Sequence, residues 1–167
     1  MTKGFRIEKL RREHPVDGFT CGSADLDRFL LRYAFANQLA NASQTYVALY
    51  QDDVVGFYTL VVGEVAFADA PERLKKGLAR HPVPIMLLAR LAVSTARQGQ
   101  KIGAGLLKDA MLRTMQAADI AGIRAFVVHA KDDPVRTFSE HLGFSPSPTD
   151  PLHLFRLTKD IRQFLTS

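Results

Sequence analysis

Apolar residues alternate along some stretches of this chain and recur every three or four positions along others, and the change of period predicts its elements. Phe5-Arg-Ile-Glu-Lys-Leu10 alternates and predicts an opening strand. Residues 14–22 are rich in turn formers. Ser23 is placed to cap a helix whose first turn carries Asp25 and Asp27, favourable at the positive end of the helix dipole. Leu26, Phe29, Leu30, Tyr33 and Ala34 follow at helical spacing, to about Ala40. Residues 45–50 and 54–62 read as a hairpin around Asp52-Asp53.

Pro71 suits the first position of a short helix, which His81-Pro-Val-Pro84 ends. A strand over 85–93 follows. From about Gly103 the positions Leu106, Leu107, Ala110, Met111, Thr114 and Met115 predict a helix that Gly122 closes. Residues 125–129 form a short apolar strand. Asp133-Pro134 opens a helix with Phe138 and Leu142 facing inward and Gly143 as its stop. A last strand over 152–157 and a terminal helix over 159–165 complete the order. Early strands in hairpins and later strands alternating with helices predict an α/β (mixed α+β) fold: a central mixed β-sheet flanked by helices, in one domain over 1–167.

The densest chemical signal is the junction of the 85–93 strand and the next helix. Leu88-Ala-Arg-Leu-Ala-Val93 gives way to Arg97-Gln-Gly-Gln-Lys-Ile-Gly-Ala-Gly-Leu-Leu107. A Gly-rich loop running into a helix gathers free backbone N–H groups at the positive end of the dipole, which is a site for phosphates, and a pyrophosphate is the expected ligand.

Composition narrows the partners. Hydrophobic residues make up 47% and charged residues 23%, as in ordinary globular chains. No apolar run approaches the roughly 20 residues of a membrane span, and Met1-Thr-Lys-Gly-Phe-Arg lacks the apolar core of a signal peptide. One cysteine, Cys21, allows no internal disulfide and reads as a packed thiol. These features predict a cytoplasmic protein. The net charge of +5 favours an anionic partner such as CoA, RNA or an acidic protein segment. His14, His81, His129, His141 and His153 have no metal-ligand spacing, so no metal is expected.

The layout and the loop resemble the GNAT N-acetyltransferase superfamily. Phe19-Thr-Cys-Gly-Ser-Ala-Asp-Leu-Asp-Arg-Phe-Leu30 then resembles the opening of the acetyltransferase toxins of type II toxin–antitoxin modules (TacT/AtaT/KacT-like). Val55-Gly-Phe-Tyr-Thr-Leu60, His81-Pro-Val-Pro84, Arg90-Leu-Ala-Val93, Phe126-Val-Val-His-Ala130 and Ser145-Pro-Ser-Pro-Thr-Asp-Pro151 match that group in the same order, over almost the whole chain. The resemblance implies the GNAT fold and an acetyl-CoA-dependent transferase. It implies acetylation of the free α-amino group of aminoacyl-tRNA, which blocks translation. It also implies a homodimer neutralised by a ribbon-helix-helix antitoxin. The backbone of Leu91, Ala92 and Val93 would serve the pantetheine arm and the oxyanion. Gln98, Gly99, Gln100, Lys101, Ile102, Gly103, Ala104 and Gly105 would cradle the pyrophosphate.

Two positions depart from the group. Lys101 stands where the first motif glycine is usual, and a positive φ there costs a lysine about 1 kcal/mol or more, which its ammonium offsets beside a phosphate. Ser139 stands where the group has the tyrosine that protonates the leaving CoA sulfur. Ser139, the candidate catalytic residue, either orients a water that delivers the proton or is a bystander. A thiolate with a pKa of about 8.5 leaves tolerably without help, and an α-amino group near 8 needs less base than a lysine near 10.4. A weak site therefore suits aminoacyl-tRNA.

Arg28, Arg32, Arg73, Lys75, Lys76, Arg80, Arg90 and Arg97 are candidates for tRNA phosphates. Arg73, Lys75, Lys76 and Arg80 are expected in one short helical segment, and a solvated charged face is the plainer account of them. Tyr58 is a candidate substrate wall or a core residue, and His129 a strand-end histidine. Two other functions stay open: a GNAT enzyme acting on a small amine or a protein N-terminus, and a catalytically impaired fold that only binds an antitoxin or CoA.

Overall fold

The protein is described by a computed structural model covering residues 4–166; Met1–Lys3, part of the N-terminal stretch read above, and Ser167 lie outside the described residues. Seven strands hydrogen-bond in the order β1-β2-β3-β4-β5-β7-β6. They are β1 (Phe5–Lys9), β2 (Gln44–Tyr50), β3 (Asp53–Val65), β4 (Val83–Val93), β5 (Ala125–His129), β6 (Ser145–Pro146) and β7 (His153–Leu157). The helices are α1 (Ala24–Arg28), α2 (Ala34–Leu39), α3 (Glu72–Lys75), α4 (Ile102–Ile120), α5 (Asp133–His141) and α6 (Thr158–Thr166). The chain folds as two compact units, residues 4–61 with 89–110 and residues 62–88 with 111–166; β3, β4 and α4 each contribute to both.

In the first unit the expected elements form where the periodicity placed them. β1 and β2 pair antiparallel from Phe5↔Tyr50, and β2 and β3 pair antiparallel with an irregularity between Ala48 and Leu49. Ser23 caps α1 as expected, its Oγ accepting from the Leu26 N–H at 3.4 Å. The long helix of the sequence is not uniform: a π-helical turn, Phe29–Tyr33, joins α1 to α2. Gln38 fixes the far end. Its Nε2 donates to the Leu10 carbonyl at 2.8 Å, and its Oε1 accepts from the Thr45 N–H at 2.9 Å. The core beneath holds Leu10, Phe19, Phe29, Leu30, Val47 and Phe57, with the Phe19 ring edge-on to Phe57 at 5.6 Å. Full burial of side chains of this size stabilises by about 1.5–3 kcal/mol each.

In the second unit β4 pairs parallel with β5 over Ile85–Leu88, and residues 89–93 lie beyond that ladder. β5 and β6 both pair antiparallel with β7. Leu74, Val83, Ile85, Val127 and Phe155 form the core. Four local expectations change here. Pro71 is the N-cap of α3 rather than its first residue, and α3 ends at Lys75, so Lys76 and Arg80 lie in the following loop. Gly77, at φ +82°, marks the departure from helical geometry. Gly122 follows the end of α4 without a left-handed conformation. Phe138 does not face inward: it is 58% exposed and Leu142 is also exposed, whereas Ser139 is buried. Gly143, at φ +92°, does stop α5 as predicted.

Candidate active site

In the first unit, β4 leads into the Gly-rich loop through a braced turn. The Ser94 N–H donates to the Val55 carbonyl at 2.9 Å, and Thr95–Arg97 makes one 3₁₀ turn. The loop reverses at Gly99 (φ +82°) and again at Lys101 (φ +66°), then enters α4 at Ile102. Ile102 is buried and anchors the entry. Across this entry the Gly105 N–H donates to the Lys101 carbonyl, 3.1 Å away. The first N–H groups of a helix have no partner inside it. They gather here beside the loop, at the positive end of a helix of 19 residues.

This entry depends on a close approach. At Gly56 on β3, a Cβ would stand 3.0 Å from Leu106 Cδ1 and 3.1 Å from the Ala92 carbonyl oxygen. Glycine lets β3, the end of β4 and the first turns of α4 come together. At Gly99 a Cβ would meet nothing within 4 Å, so the loop is open on that side. Open N–H groups, a helix N-terminus and the Lys101 ammonium form a donor set suited to a pyrophosphate. Leu91, Ala92, Val93 and residues 98–105 thus all belong to this one unit, on consecutive segments.

The basic candidates separate. Arg28 and Arg32 line an open groove of about 270 Å³ with Val16, Asp17, Phe19, Asp27 and Leu31, and Arg28 pairs with Asp25 at 3.1 Å. The Arg90 guanidinium lies 3.7 Å from the centroid of the Phe29 ring, and that of Arg97 lies 4.3 Å from the Tyr50 ring. Tyr58 is corrected as a substrate wall: it has no exposed surface, because β3 is buried on both faces there. Its hydroxyl donates to Asp109 Oδ2 at 2.5 Å, and its ring stacks on Tyr46 at 5.2 Å. Asp109 was not singled out in the sequence, because an aspartate on the polar side of a helix gives no sign of a buried phenol opposite.

In the second unit, Arg73, Lys75, Lys76 and Arg80 line an open cavity of about 630 Å³ with Phe67 and Glu72. Arg73 is held by both oxygens of Asp160, at 2.8 and 3.3 Å. That guanidinium keeps the Asp160 carboxyl below the usual carboxylate range. Lys75 pairs with Glu72 at 3.3 Å and lies over the Phe67 ring. Ser139 is 7% exposed, and its Oγ donates to the Val135 carbonyl at 2.9 Å, one turn back in α5. The proton of that hydroxyl is engaged by its own helix. His129 stacks on His153 with ring centroids 3.9 Å apart; burial first, and the His153 charge second, push its pKa down.

Burial, then the Asp27 carboxylate, push the Cys21 thiol up, so this cysteine is not an activated nucleophile. Among the described residues there is no group of three or more His, Cys, Asp or Glu arranged to hold a metal, and no helix is long and apolar enough to cross a membrane.

Comparison with known proteins places this geometry. The chain is 46% identical over 150 residues to the tRNA-acetylating toxin of Mycobacterium tuberculosis strain H37Rv, covering 90% of each chain. It is similar to the structure of AtaT complexed with acetyl-methionyl-tRNAfMet, with TM-score 0.88 and 28% identity over 96% of this chain and 99% of that one. It is also similar to a tyrosine-to-phenylalanine mutant of AtaT bound to the C-terminus of the antitoxin AtaR and acetyl-CoA. There the TM-score is 0.81 and the identity 27%, over 98% and 99% of the two chains. Residues 41–146 match the acetyltransferase (GNAT) domain, a stretch that includes the end of β4, the Gly-rich loop, α4 and Ser139. The chain belongs to the GNAT acetyltransferase family.

Proposed function

We propose that this chain is an acetyl-CoA-dependent N-acetyltransferase toxin. It acetylates the free α-amino group of aminoacyl-tRNA and thereby blocks translation. The observation that carries the reading is the loop after β4, with its two left-handed residues opening onto the N-terminus of α4. The similarity to a tRNA-acetylating toxin and to AtaT with its acetylated tRNA supplies the substrate class.

Acetyl-CoA supplies the acyl group and a thiolate leaving group. The backbone N–H groups of residues 98–105 and the Lys101 ammonium would hold its pyrophosphate, and the backbone of Leu91, Ala92 and Val93 would hold the arm and offer donors to the carbonyl oxygen. The attacking amine forms a C–N bond as the C–S bond breaks, and the amine's proton passes to solvent. An α-amino group near 8 is unprotonated often enough to attack without a dedicated strong base. Ser139 stands at the sequence position where the resemblance gives the proton-donating tyrosine, and its hydroxyl donates to the Val135 carbonyl. Without a side-chain acid, the sulfur would leave as thiolate, which a pKa of about 8.5 allows. Arg28, Arg32, Arg73, Lys76 and Arg90 are assigned to the tRNA backbone; of these, Lys76 is in a loop and Arg32 is exposed on the helix, both open to a phosphate.

The reading takes residues 1–167 as one catalytic domain, cytoplasmic, dimeric and neutralised by an antitoxin. The deciding experiment is transfer of label from acetyl-CoA to a pool of charged tRNA, with the chain as it stands beside Ser139→Tyr. Label on aminoacyl-tRNA from the native chain supports the toxin reading. Label only from Ser139→Tyr means an intact scaffold without its acid. No label from either, with acetyl-CoA bound, overturns the substrate and directs the search to small amines and protein N-termini.

A further inference from the structure

Apart from Arg28, the Phe19–Leu30 block has no assigned part in the reaction above, and the Gln98 side chain has none either. The structure joins them. Gln98 Nε2 donates to two carbonyls, Cys21 at 3.2 Å and Val93 at 3.1 Å. One amide group therefore ties the first residue of the Gly-rich loop to the last residue of β4 and to the turn that precedes α1. The same turn is held at two more points. The Thr95 N–H donates to the Thr20 carbonyl at 2.9 Å, and the Cys21 N–H donates to Asp27 Oδ1 at 2.9 Å. Asp27 is itself fixed in the first turn of α1, its N–H bonded to the Ser23 carbonyl at 3.0 Å.

The residue types suit these contacts and exclude close relatives. Both partners of Gln98 are carbonyls, so the side chain must donate, and a glutamate of the same shape has nothing to give. Asp27 faces an N–H, so it must accept, which an asparagine oxygen also does. A loop with two left-handed residues is costly to hold in one conformation. Ties from outside the loop lower the entropy lost when a ligand orders it.

We infer that Gln98 and Asp27 are positioning residues for acetyl-CoA: together they pin the Thr20–Cys21 turn against the loop and set its N–H groups before the cofactor arrives. The inference rests on the loop being the cofactor cradle. It assigns the conspicuous N-terminal block a role in cofactor affinity.

The test is calorimetric titration of acetyl-CoA into the full chain and its Gln98→Met, Gln98→Glu, Asp27→Ala, Asp27→Asn and Asp27→Ala/Gln98→Met variants. Amide hydrogen exchange over residues 98–103, melting temperature and steady-state kinetics complete it. A hydrogen bond is typically worth about a five- to tenfold change in affinity. Gln98→Met, Gln98→Glu and Asp27→Ala are expected to raise Kd and KM for acetyl-CoA by about that factor. Exchange in the loop rises while kcat at saturating cofactor stays within about twofold, because an ordering cost is met on binding. Asp27→Asn keeps its acceptor and stays near the native Kd. The double variant is clearly less affected than the product of the single effects, because both ties hold one turn.

A native chain that binds acetyl-CoA, with Gln98→Met and Asp27→Ala binding equally well, overturns the inference alone. So does a loss of kcat without a change in KM, or a rise in Kd that only follows the unfolded fraction. A native chain that does not bind acetyl-CoA overturns the cradle and the inference together.

Discussion

The Ser139 hydroxyl donates to the carbonyl of Val135 at 2.9 Å. A serine back-bonded in this way satisfies a buried hydroxyl within its own helix. It also leaves the hydroxyl hydrogen engaged within α5. Removing the hydroxyl is therefore expected to cost little in chemistry: Ser139→Ala changes kcat for aminoacyl-tRNA by less than about threefold, below the range of a working general acid. Supplying an acid is expected to matter more. General acids contribute about 10²–10⁴-fold, and Ser139→Tyr should raise kcat by at least about tenfold, with KM for acetyl-CoA little changed. Single-turnover acetyl transfer measures both. A tenfold loss in Ser139→Ala would mean that the serine, or a water it holds, is the acid after all.

Lys101 offers two effects of opposite sign. Its φ of +66° is left-handed, where an L side chain costs about 1 kcal/mol or more. Lys101→Gly should raise stability by about 0.5–1 kcal/mol, since glycine's greater unfolded freedom takes back part of the gain. The same change removes a cation from the loop proposed to hold the pyrophosphate. Acetyl-CoA should bind the variant a few-fold more weakly at low salt, by roughly the worth of one exposed charge contact, and the difference should shrink at high salt. Denaturant unfolding and titration at two ionic strengths read the two effects separately. Tighter binding by the glycine variant at low salt would remove Lys101 from the phosphate site.

These two residues also show what a sequence discloses and what it hides. Lys101 was legible because a strand, a Gly-rich loop and a helix follow in order, and each is encoded locally. The Ser23 cap and the Gly143 stop were legible for the same reason. The inward face of α5 was not. Phe138 is the more hydrophobic residue, but a step of one residue turns a helix by about 100°, and Ser139 is buried at little cost because the Val135 carbonyl accepts its hydrogen bond. The Arg73–Arg80 cations looked helical because nothing between Lys75 and His81 announces a stop except Gly77. On β3, burial of both faces from Val54 to Leu60 erased the alternation that would have classed Tyr58 as core. The two-residue β6 is too short to carry a period. The Gln98 tie joins residues 77 apart in the chain, and no local pattern encodes it.

Gly56 carries the contact on which the loop's position depends. A Cβ there would press on Leu106 Cδ1 at 3.0 Å and on the Ala92 carbonyl at 3.1 Å. The leucine terminus has some freedom, but the carbonyl is backbone. Overpacking of this kind costs typically 1–3 kcal/mol. Gly56→Ala is expected to lose about that much stability and, by shifting the first turn of α4, to weaken acetyl-CoA binding more than the melting temperature alone accounts for. A variant that loses stability but binds the cofactor with native affinity would show that the first turn of α4 does not set the cradle.

The stacked pair His129 and His153 predicts a stability that depends on pH. Burial, and then the neighbouring His153, hold the His129 imidazole below its ordinary value of 6.5, while Asp150 pulls weakly the other way. The unfolded chain protonates His129 at the ordinary value. Between that value and the lower folded one, the unfolded state binds a proton that the folded state refuses, so stability rises with pH across this window. It is fully present above about 6.5 and declines as the solution is acidified, until the folded imidazole also takes its proton. His129→Gln keeps a polar side chain and removes the titration. Denaturant unfolding at pH 7.5 and 5.5 should show a smaller loss on acidification in His129→Gln than in the native chain. An equal loss in both would mean that His129 titrates alike in the folded and unfolded states, and the acid sensitivity would then belong to other groups. Glu8 is not one of them: its carboxyl is lowered chiefly by the hydrogen bond to His14, so its stabilisation is present above the usual carboxylate range and is lost only below it. That window lies lower than the one between pH 7.5 and 5.5, so the two contributions separate along the pH axis.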